Sequence, residues 1–178
     1  MARIAPVNPA TATGKAKTLL DAVKQKLGMV PNMMSTMAQS PAALDGYLAF
    51  SGALSSGLLD AKLREQIALV VGQNNACDYC LSAHSAIGKM VGLQPADITA
   101  ARTGQASDPR RAAALSLASR IVETRGNLKD ADVQAARGAG LGDGEIAEVV
   151  ANVALNIYTN YFNHIAATEI DFPKAPAL

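Results

Sequence analysis

Residues 65–84 read EQIALVVGQNNACDYCLSAH and bring four reactive side chains into one short stretch. Both cysteines of the protein, Cys77 and Cys80, lie here in a C-x-x-C spacing. His84, one of only two histidines, follows four residues after the second cysteine, and Glu65 opens the stretch. A dithiol, an imidazole and a carboxylate so close in sequence make this stretch the candidate functional centre.

The residue pattern here predicts two antiparallel helices that are joined near Asn75. Apolar residues at helical spacing precede the turn, and a new helix is expected to start directly after it. Glu65 and His84 lie almost equally far from the turn, so both should stand ~14 Å from it. Cys80 and His84 are i, i+4 neighbours on one helix face. We therefore expect a column with Cys77 near the mouth, Cys80 below it, and His84 facing Glu65.

This order assigns different chemistry to the two cysteines. A thiolate is the nucleophile towards peroxides and disulfides, and the positive end of the second helix favours a thiolate in its first turn. His84 can accept the proton of Cys80, and Glu65 can orient the imidazole. We predict that Cys80 attacks and passes through a sulfenic acid, and that the more exposed Cys77 condenses with it to form a disulfide.

Two other interpretations of the cluster stay open at this point. Cys77, Cys80, His84 and Glu65 could supply four ligands to a zinc ion, although structural zinc usually clips loops and not packed helices. Alternatively, Glu65 is a solvated helix residue and His84 is a core histidine with satisfied hydrogen bonds. The joint occurrence of the four groups favours a functional cluster, and we expect neither a bound metal nor a cofactor.

Composition and charge limit the class of protein. The chain has 178 residues, of which 49% are hydrophobic and 4% aromatic, and its many alanines favour helices. The net charge of +1 without a basic cluster argues against a nucleic-acid partner or an anionic membrane surface. Neither a signal peptide nor a membrane span is visible, so we expect a soluble, cytoplasmic protein. In that compartment the C-x-x-C spacing points to redox chemistry or metal binding.

The rest of the chain predicts one all-α domain over residues 1–178. Residues 1–12 are expected to form an irregular N-terminal arm, and residues 168–178 an irregular tail. Apolar periodicity, capping residues and helix-ending glycines predict nine helices. Their expected bounds are 14–27, 32–39, 41–56, 61–74, 76–90, 95–102, 109–124, 130–137 and 143–167.

A polar stripe runs along the last long helix. Four asparagines recur at helical spacing, and two tyrosines and the second histidine lie between or beside them. Buried amides need partners, so the stripe must face water, another subunit or a pocket. We favour a structural hydrogen-bond network or a subunit contact. The functional alternative is that Asn160, Tyr161 and His164 line a pocket over the cysteines.

A weak internal echo links the helix starts at 60–65 and 143–148. Both segments share an Asp, an apolar residue and a Glu in register. This match is compatible with a duplicated helical hairpin, but the chemistry common to helix starts would produce it equally well.

The pattern E-x11-C-x-Y-C-x3-H, preceded by VPNM and by a Ser-Pro helix start, resembles the alkyl hydroperoxidase D and carboxymuconolactone decarboxylase superfamily. It is most similar to the peroxidase-related branch, and the resemblance spans residues 29–173. It implies an AhpD-like all-helical fold that assembles as a homo-oligomer (a trimer, a hexamer or a dimer). It also implies antioxidant peroxidase and disulfide reductase chemistry at Cys80 and Cys77, with Glu65 and His84 relaying protons.

The resemblance predicts a thiol-dependent hydroperoxide reductase whose electron donor is a dithiol, thioredoxin-like or lipoyl. One departure concerns Tyr79, because some members of this family carry a histidine just before the second cysteine. The relay here is one member shorter, and Tyr79 is expected to line the pocket. The alternatives are a dithiol redox sensor or metal-binding module, and a decarboxylase-type enzyme. The decarboxylase side of the superfamily lacks the cysteine pair and is the poorer fit.

Overall fold

The computed structural model describes residues 2–178, and these residues form nine α-helices and no strand. Met1, the first residue of the predicted N-terminal arm, lies outside the described residues. The all-α prediction is confirmed, and the helix bounds agree with the expected ones within one or two residues. The helices are α1 (Gly14–Leu27), α2 (Asn32–Met37), α3 (Pro41–Ser55), α4 (Ala61–Asn74), α5 (Asp78–Met90), α6 (Pro95–Arg102), α7 (Pro109–Thr124), α8 (Asp130–Gly138) and α9 (Asp143–Ala166).

Local capping chemistry explains where several of these helices start and stop. The Ser40 side chain accepts a hydrogen bond from the backbone N–H of Ala43 before α3, and Pro41 occupies the first turn. Asp60 caps α4 through the Leu63 N–H at 2.9 Å, and Asp108 caps α7 in the same way. Gly28 ends α1 in the left-handed conformation, with φ of 77°.

Helix α4 is the centre of the packing. It contacts α5, α6, α7 and α9, and residues 66–72 are buried on every side. Residues 66–72 therefore have no solvent face, because other helices surround this part of α4. Among the described residues, no helix is long and apolar enough to cross a membrane.

The buried apolar side chains form two clusters, and the cysteines belong to the smaller one. The larger cluster joins α4 with α6, α7, α8 and α9. The smaller one fills the space between α1, α2 and the start of α5, and it includes Leu20, Met37, Cys77 and Cys80. The three methionines of α2 are core residues of this second cluster. The C-x-x-C motif is therefore built into a packed interior.

The N-terminal arm and the C-terminal tail lack helix but are held by specific contacts. The Val7 N–H donates to the Ser35 carbonyl at 2.9 Å. In the tail, the Ala175 N–H donates to the Ser82 hydroxyl at 3.2 Å, and the Arg102 guanidinium donates to the Pro176 carbonyl at 2.6 Å. Both segments thus close over the second cluster and the outer face of α5.

The two glutamates of the sequence echo have different surroundings. The Glu148 carboxylate accepts the backbone N–H groups of Leu58 and Leu59 at 2.7 and 3.0 Å, just before α4. Glu65, at the equivalent position of the echo, contacts His84. The echo therefore does not correspond to a shared role of the two carboxylates.

Candidate active site

A tight turn between α4 and α5 places the two cysteines at the start of α5. The Cys77 N–H donates to the Gly72 carbonyl at 2.9 Å, which closes the end of α4. Ala76 adopts the left-handed conformation with φ of 51°, which is unusual for a residue with a Cβ atom. The chain reverses within three residues, so α5 runs back along α4 as an antiparallel hairpin.

Cys77 is the N-cap residue of α5 and Cys80 sits in its first turn. The Cys77 Sγ accepts the backbone N–H of Cys80 at 3.3 Å. The two sulfurs form a disulfide, with the Cα atoms 5.3 Å apart. Both sulfurs lie at the positive N-terminal end of α5, which stabilises a thiolate once the disulfide is reduced.

A cavity of about 570 Å³ gives access to Cys80. Cys80, Glu65 and His84 are among its lining residues, whereas Cys77 is not. Both cysteines are only 2% exposed. The expectation that Cys77 lies nearer the mouth and is the more exposed cysteine is therefore wrong. Both cysteines belong to the second core cluster, and Cys80, in the first turn of α5, is the one that also lines the cavity.

Glu65 and His84 are in direct contact across the hairpin. The His84 Nδ1 and the Glu65 Oε2 are 2.7 Å apart, and the two side chains are 22% and 17% exposed. Glu65 and His84 therefore face each other at the same height of the hairpin, as the sequence predicts. A carboxylate on Nδ1 fixes the tautomer and leaves Nε2 as the nitrogen that can accept a proton from elsewhere in the cavity.

The cavity wall is mainly apolar. Apolar side chains come from α1, α2, α3, α5 and the tail, among them Val23, Leu27, Met33, Leu48, Ile87 and Phe172. Tyr47 is also part of the wall, and burial, reinforced by the negative charge of Glu65, raises the pKa of Tyr47 to about 12 although Ser51 opposes the shift. Such a wall favours an apolar organic molecule over a highly polar one.

Asn163 is a contact of Cys80 that the sequence did not single out. The Asn163 side-chain amide donates from Nδ2 to the Cys80 Sγ at 3.4 Å, although 83 residues separate them. Asn152 and Asn156 lie on the same side of α9 and also line the cavity. A helical-wheel argument could have found this grouping, since Asn163 is rotated only about 20° from Asn152 at 3.6 residues per turn.

The other α9 residues that were expected to line the pocket lie elsewhere. Asn160 is fully buried and accepts a hydrogen bond from the Asn75 side chain at 2.9 Å. His164 contacts the Asn75 carbonyl through Nε2 at 2.8 Å and so holds the turn before Cys77. Tyr161 is 54% exposed, and the wheel places it about 180° from Asn152. Asn160 Oδ1 and His164 Nε2 thus both contact Asn75, in keeping with the structural network that we favoured for this stripe, while Asn160 Nδ2 has no partner among the described residues.

Tyr79 lines the cavity but is held by structural contacts. Its hydroxyl accepts the Met33 N–H at 3.1 Å, and its ring meets Phe172 edge to face at 5.9 Å. Burial raises the pKa of Tyr79 far above its usual value, and the Asp171 carboxylate raises it further, against the Met33 hydrogen bond. The phenol stays neutral and joins α2 and the tail to α5, which makes it an unsuitable substitute for a relay histidine.

Replacing Tyr79 by phenylalanine is expected to lower the free energy of unfolding by about 1–2 kcal/mol, because the buried Met33 N–H loses its acceptor. Urea unfolding followed by circular dichroism measures this difference. Tyr161→Phe is the matched control, since an exposed hydroxyl should contribute less than about 0.5 kcal/mol. Equal stability of Tyr79→Phe and the wild type would refute the structural role.

The zinc interpretation finds no support in the arrangement of donors. Within residues 2–178, no three His, Cys, Asp or Glu side chains converge as a metal site would require. The two sulfurs are bonded to each other, and Glu65 is occupied by His84.

Comparison with known proteins supports the resemblance read from the sequence. The family model described as "Carboxymuconolactone decarboxylase family" matches residues 41–124. A curated uncharacterized protein of Haemophilus influenzae is 46% identical over 48 residues, which are 26% of this chain and 42% of that protein. This short match therefore spans less than half of the curated relative.

Solved structures share the fold over nearly the whole chain. An AhpD-core, peroxidase-related protein from Ralstonia eutropha JMP134 matches with a TM-score of 0.86 and 24% identity, covering 96% of this chain and 92% of that one. The apo debrominase Bmp8 matches with a TM-score of 0.81 and 20% identity, covering 95% and 92%. The family model thus matches slightly less than half of this chain, at the part that carries the C-x-x-C motif, and the solved structures show that the chain shares the AhpD-like fold.

Proposed function

We propose that this protein is a thiol-dependent hydroperoxide reductase that cycles through the Cys77–Cys80 disulfide. The observation that carries the proposal is the placement of Cys80 in an apolar cavity together with the His84–Glu65 pair. A nucleophile, a base and a group that orients the base are the minimum set for activating a thiol.

The oxidative half of the cycle starts from the two free thiols. His84 accepts the Cys80 proton, and the thiolate attacks the terminal oxygen of the hydroperoxide ROOH. The S–O bond forms as the O–O bond breaks, which yields the Cys80 sulfenic acid and an alkoxide. The alkoxide leaves as the alcohol ROH after taking the proton from His84. Cys77 then attacks the sulfenic sulfur, and the disulfide forms with loss of water.

The reductive half needs an external dithiol. A donor thiolate that enters through the cavity meets Cys80, because Cys77 does not line the wall. Attack on the Cys80 sulfur releases the Cys77 thiolate at the helix N-terminus, which is a good leaving position. The second donor thiol then resolves the mixed disulfide and frees Cys80. A slender dithiol, such as a lipoyl arm or the exposed thiol of a thioredoxin-like protein, suits this route.

We place this activity in the cytoplasm and in a homo-oligomer, as an antioxidant function. The reducing conditions there can keep the dithiol in its working state. Helix α9 exposes Val150, Tyr161 and Ile165 on its outer side, and such apolar side chains favour contact with another subunit.

The direct test follows hydroperoxide consumption by the purified protein with a dithiol reductant. We expect catalytic turnover of an organic hydroperoxide such as cumene hydroperoxide, with one dithiol oxidised for each peroxide reduced. Absence of turnover, with the disulfide inert to every dithiol offered, would refute the proposal and favour the redox-sensor alternative.

A second candidate is reductive removal of halogen from an apolar aromatic compound. The size and apolar wall of the cavity favour it, since a simple hydroperoxide needs far less space. The two thiols supply both electrons: a halogenated aromatic becomes the arene and a halide ion while the cysteines become the disulfide. The debrominase Bmp8, which shares this fold, has been solved in complex with 2,3,4-tribromopyrrole. Release of bromide from this compound with a dithiol donor, at a rate above that of peroxide reduction, would establish this function instead. Turnover of a lactone or carboxylate substrate by a variant without either cysteine would indicate the decarboxylase alternative.

A further inference from the structure

We propose that Asn163 is a further catalytic residue, and this inference rests on the proposed function. Its Nδ2–H group stabilises the Cys80 thiolate, and its Oδ1 atom accepts the terminal O–H of the bound peroxide. One amide would thus hold the nucleophile and the oxygen that it attacks side by side.

The first half of the proposal rests on the contact with sulfur. Asn163 Nδ2 lies 3.4 Å from the Cys80 Sγ, within the range for a hydrogen bond to sulfur. Asn163 is 5% exposed, so its amide is largely shielded from bulk water. A thiolate accepts hydrogen bonds more strongly than a thiol or a disulfide, and the donor therefore favours the reactive form of Cys80.

The second half rests on an acceptor without a partner. The Asn163 Oδ1 atom is buried and has no hydrogen-bond partner in the described part of the chain. Asn152 and Asn156, which line the same cavity, each donate to a backbone carbonyl one turn earlier at 2.8 Å, whereas the Asn163 amide donates to sulfur. Asn163 lines the cavity, and its amide donates to a sulfur atom and not to its own helix. Its acceptor oxygen has no partner among the described residues, so it is suited to accepting a hydrogen bond from a ligand.

The chemistry of the attack explains why both halves belong together. The hydroperoxide carries its only strong donor on the terminal oxygen, which is also the atom that the thiolate attacks. When Oδ1 accepts that O–H, the terminal oxygen lies next to the Sγ that Nδ2 contacts. After S–O bond formation the same hydrogen belongs to the sulfenic acid Cys80–SOH, and Oδ1 can hold it until Cys77 attacks. His84 supplies the proton to the departing alkoxide.

The donor half is tested by alkylation of Cys80 in a Cys77→Ser background, which removes the second thiol and keeps a good helix cap. Asn163→Leu should shift the midpoint of the iodoacetamide rate against pH upward by about one pH unit. Asn163→Asp is the second variant in case leucine does not fold, and its carboxylate should shift the midpoint at least as far. An unshifted midpoint in both folded variants would overturn this half.

The matched control is Asn156→Leu. Asn156 lies on the same helix and cavity wall and has the same 5% exposure, but it donates to the Asn152 carbonyl and not to sulfur. Its alkylation midpoint should stay at the wild-type value, and an equal shift would show that any buried amide of α9 has this effect. Every variant keeps the other titratable groups of the cavity wall, which are Lys26, Tyr47, Arg64, Glu65, Tyr79 and His84.

The acceptor half is tested at a pH above all the alkylation midpoints, where Cys80 is fully ionised in each protein. There the alkylation rates should agree, while the rate of sulfenic acid formation with cumene hydroperoxide should still be about tenfold lower in Asn163→Leu. Equal peroxide rates at that pH would overturn the acceptor role. Failure of the proposed function gives a different result. The protein that keeps Asn163 would then not react with the peroxide at all, while the alkylation midpoints would still report on the contact between Asn163 and the Cys80 sulfur.

Discussion

Replacing Cys80 by serine is expected to lower kcat/KM for hydroperoxide reduction by at least roughly 10³-fold. An alcohol cannot be oxidised to the equivalent of a sulfenic acid, so the first bond of the cycle cannot form. The change replaces one sulfur atom by an oxygen atom and leaves the rest of the side chain unchanged. The helix content measured by circular dichroism should therefore stay the same. Stopped-flow consumption of hydroperoxide by the pre-reduced protein measures the effect.

Cys77→Ser is the matched control for this experiment, because it removes the other sulfur of the same disulfide. This variant should consume one equivalent of peroxide rapidly and then stop, with Cys80 trapped as a sulfenic acid that dimedone labels. The reverse pattern, with a rapid first turnover in Cys80→Ser and none in Cys77→Ser, would contradict the assignment of roles and exchange the two cysteines.

Removing the imidazole is expected to have the second largest effect. His84→Gln should lower kcat/KM by about 10²-fold at neutral pH, because Cys80 loses its base and the alkoxide loses its proton donor. Measuring the rate against pH separates the two roles, since alkaline conditions restore the thiolate but not the proton donor. A rate in His84→Gln within about twofold of the wild type would refute this part of the relay.

Glu65→Gln tests whether the carboxylate acts through the histidine. The amide can keep a hydrogen bond to His84 Nδ1 but loses the charge that stabilises an imidazolium. We expect a loss smaller than that of His84→Gln and a changed pH profile of Cys80 alkylation. An unchanged profile would show that Glu65 only orients the ring. The double variant should be no slower than His84→Gln alone, because both residues act through one proton path.

The central hairpin could be predicted because its geometry depends on local rules. The turn at Asn75, the helix rise and the i, i+4 relation of Cys80 and His84 are enough to bring His84 opposite Glu65. The helix starts at Ser40 and Asp60 follow from side-chain capping in the same way. Short-range chemistry of this kind leaves few alternatives for the backbone.

The features that could not be predicted depend on how distant segments pack. Cys77 is buried in a cluster with residues of α1 and α2, which lie forty or more residues away in sequence. The contact of Asn163 with Cys80 requires the rotation of α9 relative to α5, and the stripe of asparagines defines a face but not what it meets. Tyr79 likewise meets Met33 and Phe172 from opposite ends of the chain.

The most direct test of the account counts thiols through one cycle of the wild-type protein. Mass spectrometry of the alkylated protein should show two free thiols after reduction by a dithiol. Addition of one equivalent of hydroperoxide should return the protein to zero free thiols, with the Cys77–Cys80 disulfide formed and one equivalent of alcohol released. A disulfide that resists reduction, or thiols that stay free while the peroxide persists, would contradict the proposed redox cycle.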